Sequence, residues 1–363
     1  MKLLIATSGT GGHIFPGIAV AEEWRARNHS FDILFVGTKE GMEKDVIPSE
    51  GFKLHCMSAG KIKGKSLFHK FRSILRLPEN LKEAHALIKE YKPDFVLGMG
   101  GYASFVITVV AKLLGKIVCI QEQNSMPGLT NRLVGRIATR VFISFPKAAS
   151  YFKKGKIVVC GNPLRRKVIR LIGQNISDSK EFRIFITGGS QGAQGINRMI
   201  IEALPLMSWA KDTCTFIHQA GKHGFENVQN AYKEHGFKAT VFTFTNSIGE
   251  EYQKASLIIS RSGSGIFEMA AHGKCAILIP FPHAADNHQY ENARYFVDEG
   301  AAELLSESKD ASKELARLIR FYFEHPEARR EKEKKSKALA RLDGAQVVVD
   351  TLISLAPKKE VYI

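Results

Sequence analysis

Two short segments decide the fold of this chain: residues 5–13, which read IATSGTGGH, and residues 184–193, which read IFITGGSQGA. In each, an apolar run leads into a glycine-rich turn, and a helical pattern follows. A strand that passes through such a turn into a helix typically opens a doubly wound α/β domain. Because the two openings stand about 180 residues apart, the sequence predicts two similar Rossmann-like domains.

Short apolar runs alternate with amphipathic helical stretches along the chain. They do not alternate polar and apolar residues, which is typical of parallel strands covered on both faces. The runs are residues 3–7, 33–36, 95–99, 117–121, 141–144, 157–160, 184–187, 215–218, 239–242, 257–260 and 276–279. We therefore expect an α/β fold with a first domain over residues 1–161 and a second over residues 162–340. A C-terminal helix and tail, residues 341–363, is expected to pack back on the first domain.

The composition is that of a folded protein with an excess of positive charge. The chain has 363 residues, of which 44% are hydrophobic and 24% charged, so disorder, a collagen-like chain and a disulfide scaffold are excluded. With 52 Lys and Arg against 36 Asp and Glu, the net charge is +16. Such a charge indicates an anionic partner, namely nucleic acid, an acidic membrane or a phosphorylated substrate, although solubility alone is the simpler explanation.

Cysteine usage and hydropathy point to a reducing compartment. The five cysteines are Cys56, Cys119, Cys160, Cys214 and Cys275, and no CxxC pair occurs. Their number is odd and they are widely spaced, which indicates buried thiols and neither a zinc site nor disulfides. The apolar stretch 105–120 is shorter than the ~20 residues that span a bilayer, and the first residues are too short for a signal peptide. We expect a cytoplasmic protein, peripheral to a membrane.

Both glycine-rich turns suit phosphate, because backbone N–H groups and a helix N-terminus can face an anion there. Tight turns need glycine in any case, so either turn alone is weak support. The dinucleotide fingerprint is absent, since Ile14 stands at its third position and the second strand ends at Thr38 without an acid. No P-loop occurs in these turns. A nicotinamide enzyme is therefore disfavoured.

Polar residues in the first half follow the ends of three predicted strands. His13, Ser104, Glu122 and Asn124 would meet at the carboxyl edge of one parallel sheet. Glu122 is the obvious carboxylate base, and its alternative role is a helix cap or a salt bridge.

The second half offers a small-residue loop at residues 260–265, followed by Glu268 on the next helix. An Asp-Asn-His-Gln cluster at residues 286–289 comes after the next strand. This set suits a nucleotide sugar, with the acid on the ribose, the Gly/Ser backbone on the diphosphate and an amide on the sugar. A metal site at His283 and His288 is disfavoured, because their spacing matches no zinc pattern.

Taken together, several strings resemble those of the peptidoglycan N-acetylglucosaminyltransferase (MurG) family, in the family's order and over nearly the whole chain. They are GTGGHIFP (9–16), LGMGGY (97–102), EQN (122–124), GNPLR (161–165), GGSQGA (188–193), RSG (261–263) with Glu268, and the segment 280–289. The resemblance implies a GT-B architecture, with two Rossmann-like domains facing across a cleft. It also implies a membrane-side acceptor domain and a donor domain.

The activity implied is inverting, metal-independent transfer of N-acetylglucosamine from UDP-GlcNAc to the C4 hydroxyl of the muramoyl sugar of lipid I, giving lipid II for the cell wall. Lipid I is undecaprenyl-pyrophosphoryl-MurNAc-pentapeptide. No cofactor is implied. The family's place in cell shape and cell division implies peripheral attachment to the cytoplasmic face of the inner membrane and contact with other cell-wall synthesis proteins.

By resemblance, eight residues map onto donor-binding positions and two onto positions of catalysis or acceptor binding. The donor set is Thr10, Gly11, Gly12, Asn124, Arg165, Ser190, Glu268 and Gln289, and the other two are His13 and Glu122. The chain departs from the family at Gln121, where His is usual, which excludes titration at that position. The stretch 261–268 is also one residue shorter than usual, which bears on the uridine and ribose contacts.

Inverting transfer needs a base on the acceptor hydroxyl and positive potential on the departing UDP. Without a metal ion, helix N-termini and the planar guanidinium of Arg165 must supply that potential, with the turn at residues 188–192. We infer that each glycine turn serves one diphosphate, the turn at residues 9–12 taking that of the acceptor. Whether His13, Glu122 or a water held by them takes the proton stays open.

Residues 61–76 hold six Lys or Arg and no acid, interleaved with apolar residues at helical spacing. This pattern favours an interfacial helix on an anionic leaflet, and its alternative is a helix packed on the first domain. Another GT-B enzyme, either a glycolipid glycosyltransferase or a UDP-sugar epimerase, is the second functional hypothesis. A nucleic-acid-binding module is the third, and no known recognition motif supports it.

Overall fold

The computed structural model describes residues 1–28, 30–57, 77–174, 181–189, 192–245 and 247–357. The chain forms two compact units: Met1–Arg166 with Leu342–Ile363, called the first unit, and Lys167–Arg341, called the second unit. The basic segment 61–76, for which the sequence predicts a membrane helix, lies outside the described residues. The next described element is a helix that begins at Leu77.

Strands and helices alternate through the described residues. The strands are β1 Lys2–Thr7, β2 Asp32–Thr38, β3 Lys53–Met57, β4 Phe95–Gly100, β5 Ile117–Glu122, β6 Arg140–Ile143, β7 Ile157–Val159, β8 Phe182–Thr187, β9 Cys214–Gln219, β10 Ala239–Phe242, β11 Leu257–Ser260, β12 Ala276–Leu278 and β13 Glu303–Leu304. The α-helices are α1 Gly11–Arg27, α2 Glu43–Ser49, α3 Leu77–Tyr91, α4 Tyr102–Leu113, α5 Leu129–Gly135, α6 Arg166–Ile169, α7 Gln194–Ala203, α8 Phe225–Glu234, α9 Ile248–Lys254, α10 Ile266–Ala271, α11 His288–Asp298, α12 Ala311–Glu324, α13 Pro326–Leu339 and α14 Gly344–Ser354.

The first unit is built on a seven-stranded sheet in the order β3-β2-β1-β4-β5-β6-β7, with every pairing parallel. Successive residues of β1 feed cores on opposite faces: Leu3 and Ile5 pack with α1, whereas Leu4 and Ala6 pack with α4. Because both faces are covered, the strand reads as one unbroken apolar run. The parallel α/β fold expected from the sequence is confirmed.

The second unit repeats the plan with a six-stranded sheet in the order β10-β9-β8-β11-β12-β13, again all parallel. Its core joins β8, β9 and β11 to helices α7 and α12. In each sheet the first strand of the unit is central and runs directly into a glycine turn. The carboxyl ends of the neighbouring strands therefore surround that turn.

Two strands have no counterpart among the eleven predicted runs. They are β3 and β13, and each is an edge strand of its sheet. Edge strands are covered less completely, and β3 carries Lys53 and His55 at positions that are not fully buried. A search for continuous apolar runs misses such strands because their polar residues face solvent.

The boundary between the units falls after Arg166, five positions later than the predicted end of the first domain at residue 161. The Arg166 backbone N–H donates to the Glu22 carboxylate at 2.7 Å, and its guanidinium pairs with Glu23 at 3.0 Å. Both acids lie on α1, so the chain stays attached to the first unit up to this point. As a consequence, Arg165 belongs to the first unit and not to the second, where the sequence-based boundary had placed it.

Helix α14 completes the first unit. Val348, Val349 and Leu352 are fully buried in the same core as Trp24 of α1. Asp350 forms an ion pair with Arg27 at 2.7 Å. Among the described residues, no helix combines the length and the apolar content needed to cross a bilayer.

Candidate functional site

The first glycine turn joins β1 to α1 at the carboxyl edge of the first sheet. Gly9 has a φ of +107°, a conformation that other residues rarely adopt. The carbonyl of Thr10 accepts the N–H groups of His13 and Ile14 at 3.0 and 3.3 Å, which starts the helix. A Cβ on Gly11 would stand 2.7 Å from the ring of Phe15, so a side chain there would require the ring to move. The 17-residue helix thus points its positive end at this turn.

His13 is half-buried and held by the turn that precedes it. Its Nδ1 lies 3.1 Å from the carbonyl oxygen of Ser8. A carbonyl oxygen can only accept, so Nδ1 carries the hydrogen and the neutral ring has its lone pair on Nε2. Nε2 faces Gly100, whose φ of +110° follows a register shift between β1 and β4. His13 is therefore oriented as a proton acceptor at Nε2.

Glu122, the other candidate base, is nearly inaccessible and its two oxygens accept four hydrogen bonds. Oε1 accepts the backbone and side-chain N–H groups of Asn124 at 2.9 and 3.1 Å. Oε2 accepts the side chain of Asn131 at 2.9 Å and the Gly128 N–H at 3.3 Å. Burial raises the pKa of the Glu122 carboxyl above its usual range, and these donors offset part of that rise. The carboxylate thus holds the loop between β5 and α5.

Ser104 and Asn124, which the sequence predicts to meet His13 and Glu122, have different partners: Ser104 bonds the backbone at the end of β4, and Asn124 bonds the Glu122 carboxylate. Ser104 is buried, and its hydroxyl accepts the Gly100 N–H at 3.3 Å. Asn124 is tied to Glu122 as described above. Gln123 donates to the Met99 carbonyl at 3.0 Å, which links the ends of β4 and β5. The structure therefore brings the predicted residues to one sheet edge, but as two adjoining groups.

Gln121 stands where the resembling family usually has histidine, and it is fully buried. Its side-chain amide donates to Ser144 at 3.0 Å, and its oxygen accepts from Gln123. The Ser144 hydroxyl in turn donates to Asn162 at 3.4 Å. A neutral amide can fill this position because it donates and accepts without carrying charge into the core.

Arg165 is buried, and its guanidinium carbon lies 4.1 Å above the ring of Phe15. This cation–π contact places the arginine on α1, in the same unit as the first glycine turn. Its planar fork suits phosphate oxygens.

Glu43 is a residue that the sequence patterns did not single out. It begins α2, is fully buried, and its carboxylate accepts the Thr38 N–H at 3.0 Å, the Thr38 hydroxyl at 2.6 Å and the Gly9 N–H at 3.4 Å. A signal was present in the string GTKEGME at residues 37–43, where two glycines precede an acid. Its meaning was hidden because Gly9 lies 34 residues away in sequence.

The second glycine turn joins β8 to α7, and its predicted donor residue Ser190 lies outside the described residues. Gly192 has a φ of +74°, and a Cβ there would overlap the carbonyl of Ala220. The side chain of Gln219 donates to the Gly189 carbonyl at 2.7 Å. The end of β9 thus shapes this turn.

A buried histidine supports the second turn. His218 Nε2 lies 3.0 Å from Asn197 Oδ1, and Nδ1 lies 3.2 Å from the Tyr232 hydroxyl. The Asn197 amide nitrogen donates to Ala220 at 2.9 Å, which fixes its oxygen toward the imidazole. Burial lowers the pKa of His218 to about 3, so the ring is neutral. It is a structural histidine: it orients Asn197, which bonds the Ala220 carbonyl that lies against Gly192 in the turn.

The loop after β11 is joined to helix α11, which carries the predicted donor residue Gln289. Ser262 is fully buried, and its hydroxyl donates to the Gln289 carbonyl at 2.8 Å. The Gln289 side-chain oxygen accepts the Phe281 N–H at 2.9 Å. Glu268 lies on α10 directly behind the loop and is 8% exposed. Of the donor residues predicted in the second half, Glu268 directly follows the 260–265 loop and Gln289 is brought to it by the bond from Ser262.

Glu307, also missed by sequence patterns, joins this loop to the second turn. It pairs with Arg261 at 2.6 Å, and a Cβ on Gly195 in the first turn of α7 would overlap its carboxylate. Asp286 and Asn287 have φ values of 50° and 55°, so two consecutive non-glycine residues are left-handed just before α11. Such strain is concentrated at functional sites. Among the described residues, no three His, Cys, Asp or Glu side chains gather as metal ligands would.

Comparison with known protein families gives two matches that together span most of the chain. The glycosyltransferase family 28 N-terminal domain matches residues 3–143, and the glycosyltransferase family 28 C-terminal domain matches residues 183–348. These matches correspond to the two sheets described above.

Curated relatives are similar over nearly the full length. The chain is 40% identical, over 98% of its length and 93% of the relative, to the UDP-N-acetylglucosamine–N-acetylmuramyl-(pentapeptide) pyrophosphoryl-undecaprenol N-acetylglucosamine transferase of Myxococcus xanthus. It is 41% identical, over 98% of its length and 99% of the relative, to the protein of the same name from Citrifermentans bemidjiense.

Solved structures share the fold. MurG of Acinetobacter baumannii is 25% identical with a TM-score of 0.77, over 98% of this chain and 99% of that one. A UDP-GlcNAc 2-epimerase from Neisseria meningitidis is 15% identical with a TM-score of 0.67, over 98% of this chain and all of that one. The second likeness shows the fold alone.

Proposed function

The chain belongs to glycosyltransferase family 28, and on that premise we propose that it moves N-acetylglucosamine from UDP-GlcNAc to lipid I, giving lipid II. The observation that carries this function is about 40% identity over 98% of the chain to transferases named for that donor and acceptor. The two glycine turns and the residues around them supply the groups that the reaction needs.

In the transfer step, the C4 hydroxyl of the muramoyl sugar attacks C1 of the donor sugar. A C–O bond forms on the face opposite the leaving group, the bond from C1 to the phosphate oxygen breaks, and UDP departs with the electron pair. The hydroxyl proton passes to a base. His13 suits this role because its hydrogen is held at Nδ1 by Ser8, which leaves the Nε2 lone pair as acceptor.

Glu122 suits a different role. Its oxygens already accept four hydrogen bonds, so proton uptake would disturb the loop that they hold. We assign it to orienting Asn124, which the resemblance maps onto donor binding.

For the donor, the second glycine turn and α7 would face the diphosphate, since the helix N-terminus stabilises negative charge as the bond to phosphate breaks. We assign Ser190 to the same phosphates, Glu268 to the ribose hydroxyls and Gln289 to the sugar. The left-handed backbone at residues 286–287 supports a built binding loop before Gln289.

The first glycine turn, with Thr10, Gly11 and Gly12, would face a second diphosphate, that of the acceptor. Arg165 packs against this helix through the ring of Phe15, and its guanidinium would neutralise phosphate charge there. A Gly11→Ala variant decides between this assignment and the donor role that the resemblance implies. A rise in the donor KM alone would overturn ours.

A basic face of the first unit supports peripheral binding to an anionic cytoplasmic leaflet. Residues 112–156 contain nine Lys or Arg and a single acid, the buried Glu122. Leu113 and Leu129 are 80% and 68% exposed on this part of the chain. The pKa of Lys156 is lowered by burial and by the nearby charges of Lys112 and Lys153, so these cations lie close together. Exposed apolar residues among clustered cations suit an acidic lipid surface.

The test is transfer of labelled N-acetylglucosamine from UDP to a short-chain lipid I analogue in the presence of EDTA, with UDP-glucose and acceptor-free reactions beside it. Product that requires both lipid I and UDP-GlcNAc is the expected result, and undiminished rates in EDTA establish metal independence. Turnover of UDP-GlcNAc without acceptor would instead favour epimerase chemistry. Tight donor binding without product would point to another glycolipid acceptor.

A further inference from the structure

The peptide that joins Ser8 to Gly9 carries a hydrogen bond at each end. Its N–H, on Gly9, donates to Glu43 Oε2 at 3.4 Å. Its carbonyl, on Ser8, accepts from His13 Nδ1 at 3.1 Å. The bond is trans, so the N–H and the C=O point in opposite directions. One rigid amide therefore stands between a carboxylate and an imidazole.

Glu43 is held so that it cannot turn away from this peptide. Its second oxygen accepts both the N–H and the hydroxyl of Thr38, at 3.0 and 2.6 Å. A Cβ on Gly37 would stand 2.6 Å from Glu43 Cγ, and one on Gly41 would overlap the carboxylate itself. The two glycines leave a slot that the buried acid fills. A buried carboxylate in a fixed position points its charge at the Gly9 N–H.

The charge of Glu43 affects the other end of the amide. A hydrogen bond from an N–H to an anion polarises the peptide and makes its carbonyl oxygen a stronger acceptor. The Ser8 oxygen then holds the Nδ1 hydrogen of His13 more firmly and stabilises the positive charge that the ring gains when Nε2 takes a proton. A carboxylate hydrogen-bonded directly to a histidine orients a general base in the same way.

We propose that Glu43 is a positioning residue for the transfer reaction and orients His13 through the Ser8–Gly9 peptide. The inference rests on the proposed function, in which His13 Nε2 receives the acceptor proton. Glu43 touches neither substrate in this arrangement. It sets the tautomer and the orientation of the His13 ring, which contacts the acceptor hydroxyl.

The kinetic test replaces Glu43 with glutamine, which keeps the size and removes the charge. One atom of the new amide donates, so it cannot accept from both Thr38 and Gly9. We expect kcat to fall about tenfold, with the KM values of both substrates within about twofold of the wild type. Asp45→Asn is the matched control, because it removes an exposed acid from the same helix, and it should leave kcat unchanged. An unchanged kcat in Glu43→Gln would overturn the proposal.

A second readout does not depend on activity. Imidazole ¹⁵N chemical shifts of the full chain report which nitrogen of His13 carries the hydrogen, with the signals assigned from a His13→Gln variant. We expect the Nδ1–H form in the wild type and a mixture of tautomers in Glu43→Gln. The same single tautomer in both proteins would contradict the relay. If the wild type transferred no sugar, the proposed function would fail, while this measurement would still decide whether Glu43 orients His13.

Two further variants separate positioning from loss of folding. Glu43→Asp keeps the charge and should restore part of kcat relative to Glu43→Gln. Thr38→Val removes one donor that holds the carboxylate and should move the tautomer in the same direction by a smaller amount. Should Glu43→Gln fail to fold, these two variants carry the test, and wild-type kcat and tautomer in Thr38→Val would then overturn the proposal.

Discussion

Gly100 lies so close to the imidazole of His13 that a Cβ at this position would stand 2.9 Å from Nε2. Gly100 ends β4, whereas His13 stands on α1 after the turn that follows β1, and the two strands pair with a register shift at Thr7 and Gly100. The orientation of the His13 ring therefore depends on the absence of a side chain at Gly100 and on the hydrogen bond to the Ser8 carbonyl.

Replacing Gly100 with alanine should displace His13. The added methyl group meets Nε2, and the φ of +110° penalises any side chain. We expect kcat to fall at least tenfold and stability to fall by about 1–2 kcal/mol. Steady-state kinetics and thermal unfolding measure the two effects. Gly115→Ala is the control, since Gly115 also has a positive φ but open space around it, and it should cost stability without affecting kcat.

His13→Gln should remove the base and leave the fold intact. The ring is half-buried and its Nδ1 bonds within its own turn, so we expect little change in the melting temperature. The loss of general-base catalysis should lower kcat by about 10²–10⁴-fold. UDP binding, measured by calorimetry, should be unchanged. A variant that kept more than a tenth of wild-type kcat would exclude His13 as the base.

Glu122→Gln, unlike His13→Gln, should lower the stability of the fold more than it lowers kcat. One carboxylate oxygen becomes an NH2 group that faces hydrogen-bond donors, either those of Asn124 or those of Asn131 and Gly128. We expect a loss of about 2 kcal/mol in unfolding free energy. At low temperature, where the variant stays folded, kcat should fall less than tenfold. A large loss of kcat with normal stability would return Glu122 to the role of base.

The second unit should lose stability in mild acid because of His218. Its pKa in the folded protein is lowered to about 3 by burial, whereas an unfolded histidine titrates near 6.5. A depressed pKa contributes stability that is present above the unfolded value and is lost as pH falls toward the folded value. Below pH 6.5 the unfolding free energy should therefore drop by up to about 1.4 kcal/mol per pH unit from this group. Denaturant titrations between pH 7 and pH 5 measure the slope.

His272 contributes in the same direction, since burial, with Lys274 nearby, lowers its pKa to about 4. The variant His218→Gln should therefore reduce the acid slope and not abolish it. An equal slope in wild type and variant would show that His218 titrates normally.

Membrane binding should depend on the basic face of the first unit. Changing Lys112, Lys153 and Lys156 to Gln removes three neighbouring charges. At roughly 1 kcal/mol per basic residue, affinity for anionic vesicles should fall about 100-fold. Co-sedimentation with vesicles of defined phosphatidylglycerol content measures the loss. The control changes three exposed lysines of the second unit, Lys222, Lys233 and Lys334, and should bind as the wild type does. Equal losses in both variants would mean that net charge, and not this face, drives binding.

Much of the candidate site could be predicted from sequence because its groups follow strand ends. His13 and Glu122 come directly after a glycine-rich turn and an apolar run, and parallel strands bring such positions to one edge. The roles of these residues were harder to predict from the sequence. Glu122 looked like a base, yet its oxygens are engaged by a loop that lies up to nine residues further along the chain.

Local patterns were sufficient to predict the two doubly wound sheets, the two glycine turns and the family, because apolar periodicity and glycine spacing reflect short-range backbone geometry. The folded chain was needed to show that Arg165 belongs to the first unit and that Glu43 approaches Gly9. The same is true of Gly100, whose missing side chain leaves the space that the His13 ring occupies. Each of these relationships joins residues that are distant in sequence, and such contacts depend on how strands are ordered in a sheet, which local patterns do not encode.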